Sequence, residues 1–413
     1  MTPWLFVSFI LFLSVVVCIF LSIERRWMLM PMLVGLLARL VFLLLDYSNV
    51  FTPPGGGADA VSFTRRAQEW SMLDWSGVFS TFNYSASYVY STFGAILYKL
   101  VGFHDLILPS VNVFLGVFVV AIPTLIVYSL WGRRSAVIAC YIMALFPFAM
   151  FNSVIALREE PSIFLFLVGL YFFLSWVSEK HPLRIFIALP FFAMAIIVHP
   201  GWIGALVGVS AYLGFVFIKN LMLFLKQGSI SRSMFGKLAS SLGVFIVALL
   251  FVIGSGGVTL AKGITVGGES GSEIDELIES RFEREAQGGS AYPRAVATGN
   301  PFTQPWLIPA RMVYFTLSPF PWDIKSGRHL LGTFATVLYG FLVFYIYKGW
   351  PKIKRKEECI ALLFIFGSLI FVFSIGVTNV GTAIRHRTKF LALFLILAAS
   401  SFHRLKKIRF RRG

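Results

Sequence analysis

Long apolar runs recur along the whole chain and are separated by short polar connections. A run of about 18 or more apolar residues is long enough to cross the hydrocarbon core of a bilayer as an α-helix. The first run, WLFVSFILFLSVVVCIFLSI, lacks a preceding basic stretch and a small-residue cleavage site, so it predicts a retained span rather than a signal peptide. The predicted spans are residues 4–22, 28–45, 107–130, 136–151, 161–177, 183–198, 202–218, 240–262, 329–346, 359–376 and 390–403. The pattern predicts an all-α polytopic membrane protein with about 11 transmembrane helices in a single transmembrane domain, residues 1–413.

Two long connections interrupt the spans, residues 46–106 and 263–328, and both mix glycine, proline, aromatic and charged residues. In the first, the segments VSFTRRAQEWSML and ASYVYSTFGAILYKLVGF predict two helices that lie along the membrane surface. In the second, GSEIDELIESRFEREAQ predicts an amphipathic helix, and Ser272 with Asp275 fits a capping box at its start. Neither connection predicts a separate soluble domain.

Composition narrows the class of protein further. Apolar residues make up 57% of the 413 residues and charged residues 13%, and the mean hydropathy is +0.80. A soluble domain carries charged residues at about twice that fraction. The three cysteines, Cys18, Cys140 and Cys359, lie far apart and in or beside predicted spans. They therefore predict neither a disulfide framework nor a metal site.

The placement of charge predicts an orientation in the membrane. The formal net charge is +17, and the basic residues cluster in short connections and in the tail RLKKIRFRRG. Cytoplasmic connections of membrane proteins carry such an excess beside anionic lipid, so this charge does not indicate nucleic-acid binding. With the basic connections inside, both long connections and the amino terminus lie on the outer face, and the carboxyl terminus lies inside.

The segment GTAIRHRTKF departs from this distribution, because Arg385, His386 and Arg387 fall in a short outer connection. Positive charge there needs a compensating anion, which is a protein carboxylate, a lipid headgroup or a substrate phosphate. Snorkelling of the side chains to the headgroups is the simpler alternative. Guanidinium groups match phosphate in bidentate geometry, so two arginines beside a histidine favour phosphate.

Acidic residues near the outer ends of spans are candidates for chemistry. Asp59 follows FTPPGGGA and enters the first turn of a helix, where it is either a helix-terminus acid or a catalytic carboxylate. Asp46 ends the second span, two turns beyond Arg39 on a similar helical face. Arg39 lies inside that span and needs an anion, so it has either a functional role or a structural pairing with Asp46.

The stretch ALREEPS is the second group of candidates. Arg158, Glu159 and Glu160 precede Pro161, which predicts the first turn of a helix. The two acids either stabilise the helix amino terminus through its dipole, or one of them faces the same cleft as Asp59. His199, in VHPGW between two spans, either binds a phosphate or caps a tight outer turn, and the pattern favours the turn.

The order of these motifs resembles the GT-C superfamily of polyprenyl-phosphate-dependent glycosyltransferases, which includes protein O-mannosyltransferases and bacterial enzymes that decorate lipid A or polysaccharides. An arginine-bearing span leads to an aspartate and a helix, here Arg39, Asp46 and GADAVSFTRRA, and LREEP, SPFPWD and NVGTAIRHRTKF follow. The likeness covers most of the chain through short motifs, and their order carries more weight than any one of them. An additional amino-terminal span departs from the usual arrangement.

The resemblance implies a sugar donor on undecaprenyl or a related polyprenyl phosphate, and a glycan, lipid or protein acceptor at the outer face of a bacterial inner membrane. By analogy, Asp59 is the general base, and Glu159 or Glu160 is a second acid that orients the acceptor or binds a divalent metal such as Mg or Mn. The residues that would hold the lipid phosphate are Arg385, Arg387, His386, Arg158 and Arg39. A direct displacement would invert the anomeric carbon.

Two other classes of protein fit parts of the pattern. An O-antigen-type polysaccharide polymerase or ligase shares a polyprenyl-diphosphate donor and two large outer connections, and Arg66 and Gly77 match the R-x10-G spacing of some polymerases. A transporter or flippase usually places ionisable groups near the bilayer midplane and shows related halves. Arg39 is the one clear charge within a predicted span and no internal repeat is visible, so the sequence favours the transferase.

Overall fold

The structure is a computed structural model that describes residues 2–53, 57–83, 88–178, 183–227, 258–261, 264–266, 290–299, 301, 303–324 and 327–404. The chain divides into two compact units. The first unit comprises residues 1–167, 340–355 and 389–413, and the second comprises residues 168–339 and 356–388.

Helices make up most of the described chain. They are α1 (Pro3–Ser22), α2 (Leu29–Tyr47), α3 (Ala58–Ser71), α4 (Trp75–Ser80), α5 (Val89–Val101), α6 (Ile107–Trp131), α7 (Arg133–Leu145), α8 (Pro147–Val154), α9 (Glu159–Val177), α10 (Arg184–Val198), α11 (Ile203–Gln227), α12 (Arg294–Ala297), α13 (Leu307–Leu317), α14 (Gly327–Ile353), α15 (Glu357–Ile375), α16 (Val380–Arg387) and α17 (Leu391–Ala398). Short 3-10 turns are Arg26–Met28, Thr81–Asn83, Pro200–Trp202, Pro321–Asp323, Thr388–Phe390 and Ala399–Arg404. Two short strands, β1 (Val258–Ala261) and β2 (Ile264–Val266), pair antiparallel in the second unit. The predicted helical architecture is confirmed.

Six helical segments among the described residues are long and apolar enough to cross a membrane, and the bent pair α7–α8 makes a seventh. They are Pro3–Ser22, Arg26–Tyr47, Ile107–Trp131, Glu159–Val177, Pro200–Leu223 and Glu357–Ile375. All six coincide with predicted spans, so the chain is an integral membrane protein. The span predicted at 183–198 is the shorter helix α10, of 15 residues. The total of about 11 spans and the orientation stay predictions. Most of the span predicted at 240–262 lies outside the described residues, and its described part, Val258–Ala261, is strand β1 rather than helix.

Two predicted spans have a different form in the structure. The span predicted at 136–151 is the pair α7 and α8, which are bent by 52° where they meet. Phe146 is extended there, because the ring of Pro147 disfavours helical geometry in the residue before it. The span predicted at 390–403 is α17 followed by a 3-10 turn from Ala399. Residues 391–398 are apolar on all sides and at most 2% exposed, since α17 packs in the first unit against α6 and α7.

The two long connections contain more helices than the sequence predicted. In the first, α3 and α5 confirm the two predicted helices, and the short helix α4 lies between them. In the second, α13 was missed, because a short apolar stretch does not by itself distinguish a helix from a strand or a loop. The amphipathic helix predicted from Ser272 and Asp275 lies outside the residues that the structure describes.

Small residues allow close helix contacts in the first unit. Helix α2 packs on α7, where a Cβ at Gly35 would lie 2.7 Å from the Cβ of Ala144. Helix α3 packs on α5, where a Cβ at Gly94 would lie 2.8 Å from the Cβ of Ala67. Lipid supplies no hydrophobic drive between helices, so such small residues matter because they let backbones approach. These contacts position α2 and α3, the helices that carry Arg39 and Asp59.

In the second unit, α11 packs closely on α15 through two glycines with the G-x-x-x-G spacing. A Cβ at Gly208 would lie 2.4 Å from the Cα of Ile365, and one at Gly204 would lie 3.1 Å from the Cα of Leu369. Both neighbours are main-chain atoms, which cannot turn away as a side chain can. The contact therefore requires glycine at position 208.

We expect Gly208→Ala to lower the free energy of unfolding by about 1–3 kcal/mol, because the added methyl overlaps the backbone of α15. Gly214→Ala, on the same helix, is the matched control, since a Cβ there meets no described atom within 4 Å and alanine is the better helix former. Thermal unfolding in detergent compares the two variants. Equal melting temperatures would contradict the close approach of α11 and α15 at Gly208.

Candidate active site

Among the described residues of the first unit, four charged side chains are buried. Arg39 and Glu159 are each 2% exposed, and Glu160 and Lys389 are each 1% exposed. Glu159 and Glu160 form the first turn of α9, as predicted, and Lys389 lies in the 3-10 turn before α17. We call these four residues the buried charge cluster. It contains two cations and two anions, so it is neutral overall when all four are ionised.

The Arg39 side chain extends from α2 to the bend between α7 and α8. Its Nε donates to Ser153 Oγ at 3.0 Å, and its Nη1 donates to the carbonyl oxygens of Gly35 at 3.1 Å and Ala144 at 2.9 Å. The carbonyl oxygen of Ala144 lacks a hydrogen-bond partner within α7, because the helix ends at the next residue. The guanidinium also attracts the carboxylate of Glu160 electrostatically. Arg39 therefore ties three helices together around one buried charge.

The structure gives Arg39 other partners than Asp46, the structural pairing that the sequence left open beside a functional role. In the described part of the chain no hydrogen bond or ion pair joins the two side chains, and Arg39 is directed to α8 and α9 instead. Asp46 is half-buried at the end of α2. The two residues lie about 10 Å apart along the helix axis, which is far for a direct pair, so the arginine satisfies its donors on neighbouring helices.

Gly116 on α6 makes room for Arg39 and Glu160. A Cβ at this position would lie 3.1 Å from Glu160 Oε1, 3.2 Å from Arg39 Nε and 3.3 Å from the Cβ of Ser153. The carboxylate and the guanidinium therefore converge on the space that a side chain would fill. A single glycine in an apolar helix gave no signal for this role in the sequence.

Glu159 forms an ion pair with Lys389 inside the buried charge cluster. Its Oε1 lies 3.7 Å from the Nζ of Lys389, and both side chains are almost fully buried. Sequence reasoning placed Lys389 in the basic segment at the membrane boundary and gave it no role. A lysine that enters a fully apolar stretch is a signal that could have marked it, since a buried ammonium needs an anion.

Asn112 on α6 fixes the chain just before α9. Its Nδ2 donates to the carbonyl oxygen of Ile155 at 2.8 Å and to that of Leu157 at 2.9 Å. These bonds hold residues 155–157, which follow α8 and leave the helical conformation. The next residue is Arg158, so Asn112 sets the position from which this half-buried side chain emerges.

Arg158 lies beside α3, the helix whose first turn carries Asp59. Asp59 is exposed in the first turn of the helix, and Phe63 lies one turn further along that face. The guanidinium carbon of Arg158 lies 5.8 Å from the ring centroid of Phe63. The structure thus places an arginine beside the ring of a residue that lies one helical turn from an exposed carboxylate, although the sequence placed the two charges in separate motifs. Glu159 and Glu160, directly after Arg158, point to the buried charge cluster instead.

In the second unit, Arg387 is fully buried and supports the end of α13. Its Nη1 donates to the carbonyl oxygens of Thr316 at 2.7 Å and Ser318 at 2.8 Å, and the guanidinium lies 4.7 Å from the ring centroid of Tyr339. Burial lowers the pKa of Arg387 to about 10, so it stays charged at neutral pH. These contacts argue for a structural role. The half-buried Arg385 and His386 are the remaining phosphate-binding candidates at this turn.

His199 caps a tight turn, as the sequence favoured. Its Nδ1 accepts a hydrogen bond from the N–H of Gly201 at 3.3 Å, and its ring stacks on Phe373 with centroids 5.8 Å apart. The ring of His386 lies 5.5 Å from that of His199, so the fold brings these two candidates together. Imidazole nitrogens suit zinc or other late transition metals, whereas Mg and Mn prefer oxygen ligands. Binding of Mg or Mn therefore stays a prediction.

Arg311 is a buried arginine that sequence reasoning missed. It is 0% exposed and donates to the carbonyl oxygens of Val296, Ala297, Thr298 and Gly299 at 2.9–3.3 Å. These carbonyls belong to α12 and the turn after it, where a short helix leaves its acceptors without partners. The arginine in LIPARMVYFTL was the available signal, because a charged side chain in an apolar stretch needs several acceptors.

The fold and the site define an integral membrane protein in which an exposed acid and an arginine lie beside a buried, charge-balanced cluster. No protein-family model matches the chain, and no curated protein matches it.

Proposed function

We propose that this protein is a membrane glycosyltransferase that moves a sugar from a polyprenyl-phosphate donor to an acceptor hydroxyl at the outer face of the membrane. The observation that carries the proposal is that Arg158 lies beside the ring of Phe63, one helical turn along α3 from the exposed Asp59. A carboxylate that can accept a proton and a guanidinium that can hold a phosphate are the two groups that this reaction requires. The order of motifs shared with GT-C glycosyltransferases supports the same conclusion.

The proposed reaction is a direct displacement at the anomeric carbon. The acceptor hydroxyl loses its proton to Asp59 as its oxygen forms a bond to the anomeric carbon. The bond between that carbon and the phosphate oxygen breaks, and the polyprenyl phosphate leaves with the electron pair. Arg158 stabilises the negative charge that grows on the phosphate, because guanidinium forms strong charge-assisted hydrogen bonds with phosphate oxygens.

The buried charge cluster has a positioning role in this proposal. Glu160 faces Arg39, and Glu159 pairs with Lys389, so each acid already has a cationic neighbour inside the protein. Neither carboxylate is exposed enough to contact an acceptor in the described structure. Their contribution is to fix the first turn of α9 and with it the residue before that turn, Arg158.

We expect Arg158→Ala to raise the KM for the donor and to lower kcat/KM by about 10- to 100-fold, whereas Arg158→Lys keeps part of the activity because it keeps the charge. The assay uses purified protein in nanodiscs, a panel of radiolabelled undecaprenyl-phosphate sugars and a membrane extract as the source of acceptors. Arg65→Ala is the control, since Arg65 lies on the exposed side of α3 and faces Glu69 at 3.9 Å. Equal loss in the Arg65 and Arg158 variants would contradict the proposed site, and absence of transfer by the wild-type protein from every donor would contradict the proposed function.

A further inference from the structure

An exposed aromatic surface in the second unit follows α13. Trp322 is 66% exposed, and its ring stacks on Phe320 with centroids 5.0 Å apart and planes 9° apart. Its indole N–H donates to Tyr314 Oη at 3.2 Å, and Tyr314 in turn contacts Phe320 edge-on at 5.1 Å. We call these three side chains the aromatic platform. Stacking and hydrogen bonding hold Trp322 so that one ring face stays open in a fixed orientation.

The aromatic platform is attached to the helix that carries the cationic candidates. The buried ring of Tyr292 lies 5.1 Å from that of Tyr314. The main-chain N–H of Tyr292 donates to the carbonyl oxygen of Thr378 at 2.9 Å, two residues before α16 begins. Helix α16 carries Arg385 and His386. A ligand that combines a sugar with a phosphate would therefore match the chemistry of this part of the unit.

An exposed tryptophan serves either as a membrane-interface anchor or as a ligand contact. An interface anchor uses an apolar ring together with an N–H that reaches headgroups or water. In Trp322 the N–H is already bonded to Tyr314, so the group left to a partner is the face of the ring. That face carries negative charge density, which attracts the weakly positive C–H groups on one face of a pyranose. A ring fixed before binding also loses little conformational entropy when the ligand arrives.

We propose that the aromatic platform binds a sugar ring, with Trp322 as the stacking residue. The inference goes beyond the proposed glycosyl transfer and gives the second unit a saccharide-binding site of its own. Specificity would come from the ring face of the sugar that Trp322 contacts.

The test measures saccharide binding and not transfer. Wild-type protein in nanodiscs is titrated with chitotriose, maltotriose and mannotriose, and binding is followed by saturation-transfer-difference NMR. We expect Trp322→Ala to weaken binding of the preferred trisaccharide by about tenfold, and Trp322→Phe to restore most of it because the ring face is kept. Trp306→Ala is the matched control, since Trp306 is 69% exposed and no ring contact to it is seen among the described residues.

The outcomes separate the platform from the proposed function. The binding titration contains no sugar donor, so its result does not depend on transfer, and a loss of transfer in Asp59→Asn concerns the catalytic proposal alone. Unchanged affinity in Trp322→Ala, or no binding of any trisaccharide by the wild-type protein, overturns the saccharide platform. Quenching of the Trp322 emission by brominated lipids, taken as the difference between wild type and Trp322→Phe, would assign the surface to the membrane and overturn it as well.

Discussion

Asp59→Asn is expected to lower the rate of sugar transfer by about 10²- to 10⁴-fold, the usual contribution of a general base. The amide keeps the shape of the side chain but cannot accept the proton of the acceptor hydroxyl. Asp59 is exposed in the first turn of α3, so its replacement should leave insertion and thermal unfolding unchanged. The measurement is kcat for the purified variant in nanodiscs, with donor and acceptor both saturating.

Asp74→Asn is the matched control for this experiment. Asp74 is also an acid in the first long connection, at the start of α4, where its Oδ1 accepts a hydrogen bond from the N–H of Gly77 at 2.9 Å. The hydrogen bond from Ser76 and the one from Gly77 lower the pKa of Asp74, which makes it a weaker base. Asparagine caps a helix as well as aspartate does, so this variant should transfer sugar at the wild-type rate.

Normal transfer by a well-inserted Asp59→Asn protein would remove Asp59 as the base. The result would then favour the polymerase or ligase alternative if Arg66→Ala abolished activity in its place. Arg66 lies over the ring of Tyr88, with its guanidinium carbon 4.1 Å from the centroid, on the same helix as Asp59. The two variants therefore distinguish the two classes of enzyme within one helix of the first long connection.

Local patterns predicted the elements that carry the candidate site. The start of α9 at Glu159 follows from two acids and a proline at the head of an apolar run, which are first-turn residues for reasons of dipole and backbone geometry. The helices α3 and α5 follow from their amphipathic spacing. The turn at His199 follows from a proline and a glycine between two apolar runs.

Local sequence patterns do not predict which residues distant along the chain contact each other. Arg39 reaches Ser153, which is 114 positions away, and an apolar period says which face of a helix is buried but not which helix it meets. The choice between a functional role for Arg39 and a structural pairing with Asp46 therefore required the fold. The structural use of Arg387 was hidden for the same reason, because its acceptors are main-chain carbonyls that any sequence supplies.

We expect Arg39→Met to lower the free energy of unfolding by about 3–5 kcal/mol, because it leaves Glu160 buried without a cation. Glu160→Met should lower the free energy of unfolding by a similar amount, since it removes the carboxylate that faces the Arg39 guanidinium. Methionine keeps most of the volume in both cases, so the losses report the charge more than a cavity. Unfolding in a denaturing detergent titration, together with the melting temperature, measures both variants.

The double variant Arg39→Met/Glu160→Met tests whether the two charges depend on each other. Replacing a whole buried pair with apolar side chains is far less costly than breaking it, so the double variant should be more stable than the sum of the two losses predicts. Arg25→Met is the control for the same substitution at an exposed pair, where Arg25 lies 3.4 Å from Glu24, and its effect should stay below about 1 kcal/mol. Strictly additive losses in the double variant would show that Ser153 and the two carbonyl oxygens alone hold Arg39. Glu160 would then contribute to stability independently of Arg39. Coupling would instead mean that the attraction between Arg39 and Glu160 holds α2 and α9 together. Arg39 would then help to set the position of Arg158, the residue before α9.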